Sequence, residues 1–226
     1  TSAQLYSRCR EAGINFFDCA NVYIGGESER ILGQLIKPER HQVIISSKVY
    51  FPMGEGPLAK GYSRAAIMHH VEESLRRLGT DYLDIALIHG YDQPDDVVAP
   101  TADNPQGRGK NGMVDPLGPG NALDELARLR DEGKVRFIAL GGRSSVVLYR
   151  ALDTGRVDVV LTYLEYNLFT QAFADQVLPT VRAQGAGVEL ASPLGMGLLA
   201  GPRPDPTSPR GGEGGAARAL AMWEWC

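Results

Sequence analysis

Four side chains able to hold or move a proton stand at the ends of successive apolar runs. Asp18 closes the run that begins Ile14-Asn15-Phe16-Phe17, and Tyr23 lies in the segment just after it. Lys48 closes VIISSK, and His89 closes LDIALIH. A phenol has an unperturbed pKa of about 10, too high for efficient acid work near neutrality. A neighbouring lysine ammonium favours the phenolate, and an aspartate holds and orients the lysine. An imidazole beside them can donate to a carbonyl oxygen and fix its position. Together the four make an oxygen clamp with a proton donor, suited to carbonyl reduction or alcohol oxidation. Since no side chain supplies hydride, that chemistry requires a nicotinamide, NADP or NAD. Taken singly, each residue has a plainer reading: a capping aspartate, a solvated lysine, a loop tyrosine, a core histidine. Their convergence on three consecutive run ends favours the chemical one.

The elements that must position them follow from periodicity. Short apolar runs occur at Ile14 to Phe17, Val43 to Ile45, Leu83 to Ile88, Val135 to Leu140, Val157 to Leu161 and Val188 to Ala191. They are β-branched or aromatic and mostly without strict alternation, as in strands covered on both faces of a parallel sheet. Between them, Ser28 to Ile36, Ser63 to Leu78, Asn121 to Asp131, Ser144 to Leu152 and Gln171 to Ala183 carry helical periodicity. Ser63 is placed to cap its helix, Gly133 and Gly185 to end theirs, and Pro179 to kink or split the last. Strands alternating with helices predict an α/β fold with a parallel sheet, whose sites form at the C-terminal strand ends.

Six strand–helix units fall short of the eight of a (β/α)8 TIM barrel. The chain starts on a helix and stops after the sixth strand, so an incomplete barrel is expected, its first and last strands missing. Residues 1–200 are assigned to the barrel and 201–226 to a Gly/Pro-rich tail with a short C-terminal segment. Gly90 to Gly120 reads as a long polar loop, either a lid over the site or disordered.

Composition bounds the partners. The 226 residues are 43% hydrophobic and 22% charged, enough to bury a core. With 23 Lys and Arg against 27 Asp and Glu, the chain has no basic field for nucleic acid. No apolar run reaches membrane-spanning length, and the opening TSAQLYSRCREAG lacks the pattern of a signal peptide. Cys9, Cys19 and Cys226 fit neither a disulfide framework nor a zinc site, so a cytoplasmic location is expected, with Cys19 buried and reduced. Gly56 to Gly61 misses a phosphate-binding Walker loop because Tyr62 follows, and no GxGxxG or Gly-x-Ser-x-Gly is present. His69 and His70, mid-helix, read as surface residues. The Asp92, Asp95, Asp96 cluster lacks calcium-loop spacing, and no metal site is expected.

The stretch GINFFDCANVYIGGESERILGQ resembles the first signature of the aldo-keto reductases, and ESLRRLGTDYLDIALIHG resembles the second. VIISSKV, GKVRFIALG and ASPLGMGLL are similar to later segments of the same family, so the resemblance covers roughly residues 1 to 200. It implies a (β/α)8 barrel that binds NADPH or NADH without a Rossmann domain. It also implies that Tyr23 is the general acid, tuned by Lys48 and Asp18, and that His89 orients the substrate carbonyl. Ser192, Leu194, Gly195 and Met196 would lie along the cofactor pyrophosphate, with Tyr163 close to the nicotinamide.

Two positions depart from the pattern. Gly141-Gly142 stands where the family has Ser-Asn, and Ala191 where an aromatic often stacks on the nicotinamide. With TYLEYN and ASPLGMGLL, these departures resemble the sugar 1-dehydrogenases, such as L-galactose dehydrogenase, implying oxidation of an aldose at C1. The alternative is a truncated, non-catalytic homologue that acts as a binding or regulatory module. Substrate identity and oligomeric state are not read from the sequence.

Overall fold

The computed structural model describes residues 1–90, 115–208, 210 and 214–225. Most of the loop expected between Gly90 and Gly120, and Cys226, lie outside them. Six parallel strands form one sheet in chain order: β1 (Phe16–Asp18), β2 (Ile44–Val49), β3 (Leu83–Ile88), β4 (Val135–Gly142), β5 (Val159–Tyr163) and β6 (Gly187–Ala191). The helices are α1 (Ser2–Glu11), α2 (Glu27–Ile36), α3 (Arg64–Leu78), α4 (Ala122–Asp131), α5 (Ser145–Asp153), α6 (Ala172–Gln176), α7 (Leu178–Gln184) and α8 (Gly215–Trp225).

Helix boundaries follow the local signals. Ser63 caps α3 by accepting from the Ala66 amide, and the helix stops at Gly79 in the left-handed region (φ 64°). Along α3, Ile67, Val71, Leu75 and Leu78 form the buried stripe against the sheet. Each such side chain, fully buried, contributes about 1.5–3 kcal/mol. Pro179 falls in the first turn of α7, where its missing N–H costs nothing, and the predicted long helix is accordingly two short ones. The C-terminal segment is helical too: α8 buries Ala216 and Ala219, and Arg203 pairs with Glu224 at 2.7 Å.

Register divides each strand into two sets of side chains. The pairings Asp18↔Ser46, Lys48↔Leu87, Leu87↔Ala139, Gly141↔Leu161 and Tyr163↔Ala191 put these residues on one face. The intervening residues, among them Cys19, Ile45, Ile88, Leu140 and Val160, pack under the helices in the main core. The first face is concave. The Ser46 hydroxyl on β2 donates to Glu189 on β6 at 3.3 Å, although three strands lie between them. In a flat sheet strands four places apart are separated by about 19 Å, so the sheet curls through most of a cylinder. A smaller apolar cluster of Ile85, Leu87, Ala139 and Leu161 lies within that curl. The architecture is an incomplete (β/α)8 barrel.

Candidate active site

At the C-terminal rim of the concave face, a cavity of about 180 Å³ is lined by Asp18, Tyr23, Lys48, His89 and Tyr163, with Phe51, Gly141, Gly142 and Ala191 completing the wall. All four proton-active residues expected from the strand ends therefore meet around one space. Lys48 is 2% exposed. Its ammonium donates to both carboxylate oxygens of Asp18 and to the Cys19 carbonyl at 2.8 Å. A buried ammonium is sustained by this complete set of acceptors. The same nitrogen lies 4.8 Å from the Tyr23 ring centroid, over its face. A cation so placed favours negative charge on the ring.

Tyr23 is held by a strained turn. Residues Tyr23–Gly26 form a 3-10 turn in which Ile24 (φ 51°), Gly25 (φ 62°) and Gly26 (φ 86°) are all left-handed. Gly26 has no alternative, since a Cβ there would lie 2.9 Å from Cδ of Arg77. Arg77 is fixed in turn by buried Glu29 at 2.6 Å, and Glu29 accepts from Ser47 of β2 at 2.6 Å. The turn thus takes its position from the strand that carries Lys48. Its other anchor is Asn21, whose amide N–H donates to the Lys48 carbonyl at 3.2 Å.

His89 follows β3 and is ringed by aromatics, edge-on to Phe51 (centroids 4.7 Å apart) and to Tyr23 (6.3 Å). Burial first, and the Lys48 charge second, push its pKa down to about 4, so the ring is neutral at pH 7. Its Nδ1 is buried without a hydrogen-bond partner among the described residues.

The residues expected along a pyrophosphate are more scattered. Ser192, itself at positive φ (54°), lines a larger cleft of about 620 Å³ between β1 and β6, shared with Asp18, Tyr23, Tyr163 and Ala191. Gly195 and Met196 belong to a 3-10 turn beyond β6, preceded by half-exposed Leu194. Gly195 packs against Phe169, and the Tyr163 hydroxyl donates to Met196 Sδ at 3.2 Å. Tyr163 therefore joins the turn to the rim cavity, and Leu194 and Gly195 stand farther along.

One expectation needs amendment, and one residue of the site was not singled out. His70 is not a surface residue: it is 1% exposed. Its Nδ1 accepts from the Tyr50 amide at 3.2 Å, and its Nε2 lies 3.1 Å from the carbonyls of Leu58 and Ala59. It pins the loop that carries Phe51 to the back of the site, and burial lowers its pKa. A signal was present, since His70 sits three residues after Ile67 on the edge of the apolar stripe. Glu189 was also overlooked. It is the one acid within the β6 run and alternates in step with Ala191, which turns it into the concave face beside Asp18 and Ser46.

The chain belongs to the aldo/keto reductase family, whose sequence model matches residues 1–218. It is 32% identical over 197 residues to L-galactose dehydrogenase of Arabidopsis thaliana, covering 83% of this chain and 53% of that protein. It is 30% identical over 222 residues to the NADH-specific methylglyoxal reductase of Escherichia coli (strain K12), covering 93% of this chain and 60% of that one. Its fold matches the holo form of aldo-keto reductase AKR11C1 from Bacillus halodurans with a TM-score of 0.68 at 23% identity, over 91% of this chain and 62% of that one. The chain thus spans between half and two thirds of the length of these relatives.

Proposed function

We propose that this chain carries the catalytic half-site of a nicotinamide-dependent oxidoreductase that interconverts a small carbonyl compound and its alcohol in the cytoplasm. The observation that carries the reading is the meeting of Asp18, Tyr23, Lys48 and His89 around one 180 Å³ cavity. That volume equals about six waters, room for a six-membered ring with a small substituent. The donor set fits a nicotinamide: it offers a proton source and a carbonyl clamp but no hydride, and Gly141, Gly142 and Ala191 keep the wall low where a flat ring would lie. Bound there, NADH or NADPH supplies the hydride. Tyr163 and Ser192 would flank it, with Leu194, Gly195 and Met196 continuing the path along its phosphates.

In the reduction direction, His89 in its neutral form, with the proton on Nε2, donates to the substrate carbonyl oxygen and fixes its position. Tyr23 gives its hydroxyl proton to that oxygen as negative charge develops there. Lys48, lying over the phenol ring, stabilises the phenolate left behind, and Asp18 keeps Lys48 in place. Oxidation of an alcohol runs the same path backwards, with the phenolate as base.

Two substrate classes are supported by relatives named for them: an aldose oxidised at C1, from the resemblance to L-galactose dehydrogenase, and a 1,2-dicarbonyl, from the resemblance to methylglyoxal reductase. The glycine pair and Ala191 at the rim favour the aldose. Titrating the 226-residue chain with NADH and NADPH by cofactor fluorescence tests the reading. Saturable micromolar binding is the expected result, followed by turnover in a panel of aldoses and methylglyoxal that Tyr23→Phe abolishes. A folded chain that binds neither nucleotide refutes it.

A further inference from the structure

We infer that Glu189 is a positioning residue of this site, its carboxyl group reaching from β6 across the curl to share a proton with Asp18 and so to set the charge of the cluster that holds Lys48. The inference rests on the proposed role of Asp18, Lys48 and Tyr23 as the proton-transfer group. Glu189 accepts from the Ser46 hydroxyl at 3.3 Å and lines the cleft that also contains Asp18, Tyr23 and Tyr163. Ser46 is the register partner of Asp18, so the Glu189 carboxyl group it holds lies on the concave face in the cleft that Asp18 also lines. Two carboxyl groups that share one part-buried site favour the state in which one of them carries a proton. Asp18 already accepts the Lys48 ammonium on both oxygens, so it has no oxygen left to carry a proton. The shared proton therefore resides on Glu189. Its surroundings agree: burial, then the neighbouring Asp18 charge, raise its pKa to about 8, against weaker opposing effects of Lys48 and Ser46.

The charge balance gives the role. Asp18 and Lys48 cancel, and with Glu189, His89, Tyr23 and Tyr163 neutral the cluster carries no net charge. When Tyr23 gives up its proton, one negative charge appears beside one fixed ion pair. If Glu189 also ionises, a second negative charge faces the first, and Tyr23 holds its proton more tightly. Loss of the Glu189 proton as pH rises through about 8 therefore places a second negative charge beside the site and retards proton donation.

Infrared difference titration of the full chain tests this without cofactor. A protonated-carboxyl C=O band at pH 6.5 that disappears as pH rises through about 8, and is missing from Glu189→Gln, is the expected result. Absence of such a band in the wild type, or its persistence in Glu189→Gln and in Glu189→Ala, overturns the inference. If Glu189→Gln does not fold, Glu189→Ala and the wild-type titration decide. A second readout is the tyrosinate absorbance assigned to Tyr23 by difference from Tyr23→Phe. Tyrosinate should form at lower pH when Glu189 is made neutral, and an unchanged midpoint refutes the coupling. Failure to bind NADH would refute the enzymatic reading and leave the infrared result standing, so the two failures are distinguishable.

Discussion

Protonating His89 should cost this fold stability, and the cost can be worked out. In the unfolded chain the imidazole titrates near 6.5, whereas in the folded site burial and the Lys48 charge hold it near 4. Between those values the unfolded state binds the extra proton, so stability is undiminished above about pH 6.5 and falls as pH drops through the window, with no further loss below about pH 4. The full difference corresponds to about 3 kcal/mol, of which about 2 kcal/mol is spent between pH 7 and pH 5. Carboxylates titrate in part of the same range, so wild type must be compared with His89→Gln, which keeps an amide in place of the ring and cannot charge. Urea unfolding followed by far-ultraviolet circular dichroism at half-unit steps from pH 4.5 to 8 gives the two profiles. The variant should gain about 2 kcal/mol relative to wild type on going from pH 7 to pH 5. Parallel profiles would mean that the ring is not desolvated as its aromatic surround implies, and would refute its full neutrality near pH 7.

Two further substitutions probe the scaffold. Gly33 on α2 faces the end of α3 so closely that a Cβ would sit 2.3 Å from the Leu78 carbonyl oxygen. Gly33→Ala should therefore push the helices apart and cost about 1–3 kcal/mol, read by the same unfolding assay. Wild-type stability would contradict the close approach. At the opposite end of the barrel, buried Asp84 accepts from the Ile45 amide at 3.0 Å and pairs with Arg40 and Arg136, both at 2.8 Å. Asp84→Ala leaves the Ile45 amide without its acceptor and both guanidinium groups without their carboxylate, though Arg40 keeps the Thr80 hydroxyl and the Val43 and Tyr82 carbonyls, and should cost about 2–3 kcal/mol, lowering the thermal midpoint. A loss below about 1 kcal/mol would show the network to be solvated.

Most of the frame was legible because its signals are local. Ser63 and Gly79 bracket α3, and Pro179 divides α6 from α7, each through chemistry confined to one turn. The placing of Asp18, Lys48 and His89 at strand ends was also legible, since period-2 geometry and the one-sidedness of parallel folds suffice to bring them to one rim. What escaped depends on partners far apart in sequence. The polar run Ser46, Ser47, Lys48 continues β2 because Glu189, Glu29 and Asp18 satisfy it, and hydropathy carries no trace of that. His70 is buried because the Tyr50 amide and two loop carbonyls meet its ring, and helix periodicity alone left it on the margin of the stripe. Glu189 needed the curl of the sheet, a property of six strands together.

Cys19 follows Asp18 by one residue and so turns to the other side of β1, where its thiol donates to the Ser46 carbonyl at 3.3 Å beneath the helices. Burial, reinforced by the charge of Glu29, pushes that thiol up to about 12. In the closed fold it is thus inert towards alkylating reagents, which attack the thiolate. Its labelling rate then measures how often β1 lifts from the helical layer. Whatever binds on the concave side and holds Asp18 in place slows that rate by mass action. The protein carries its own occupancy gauge, one residue removed from the carboxylate that anchors Lys48.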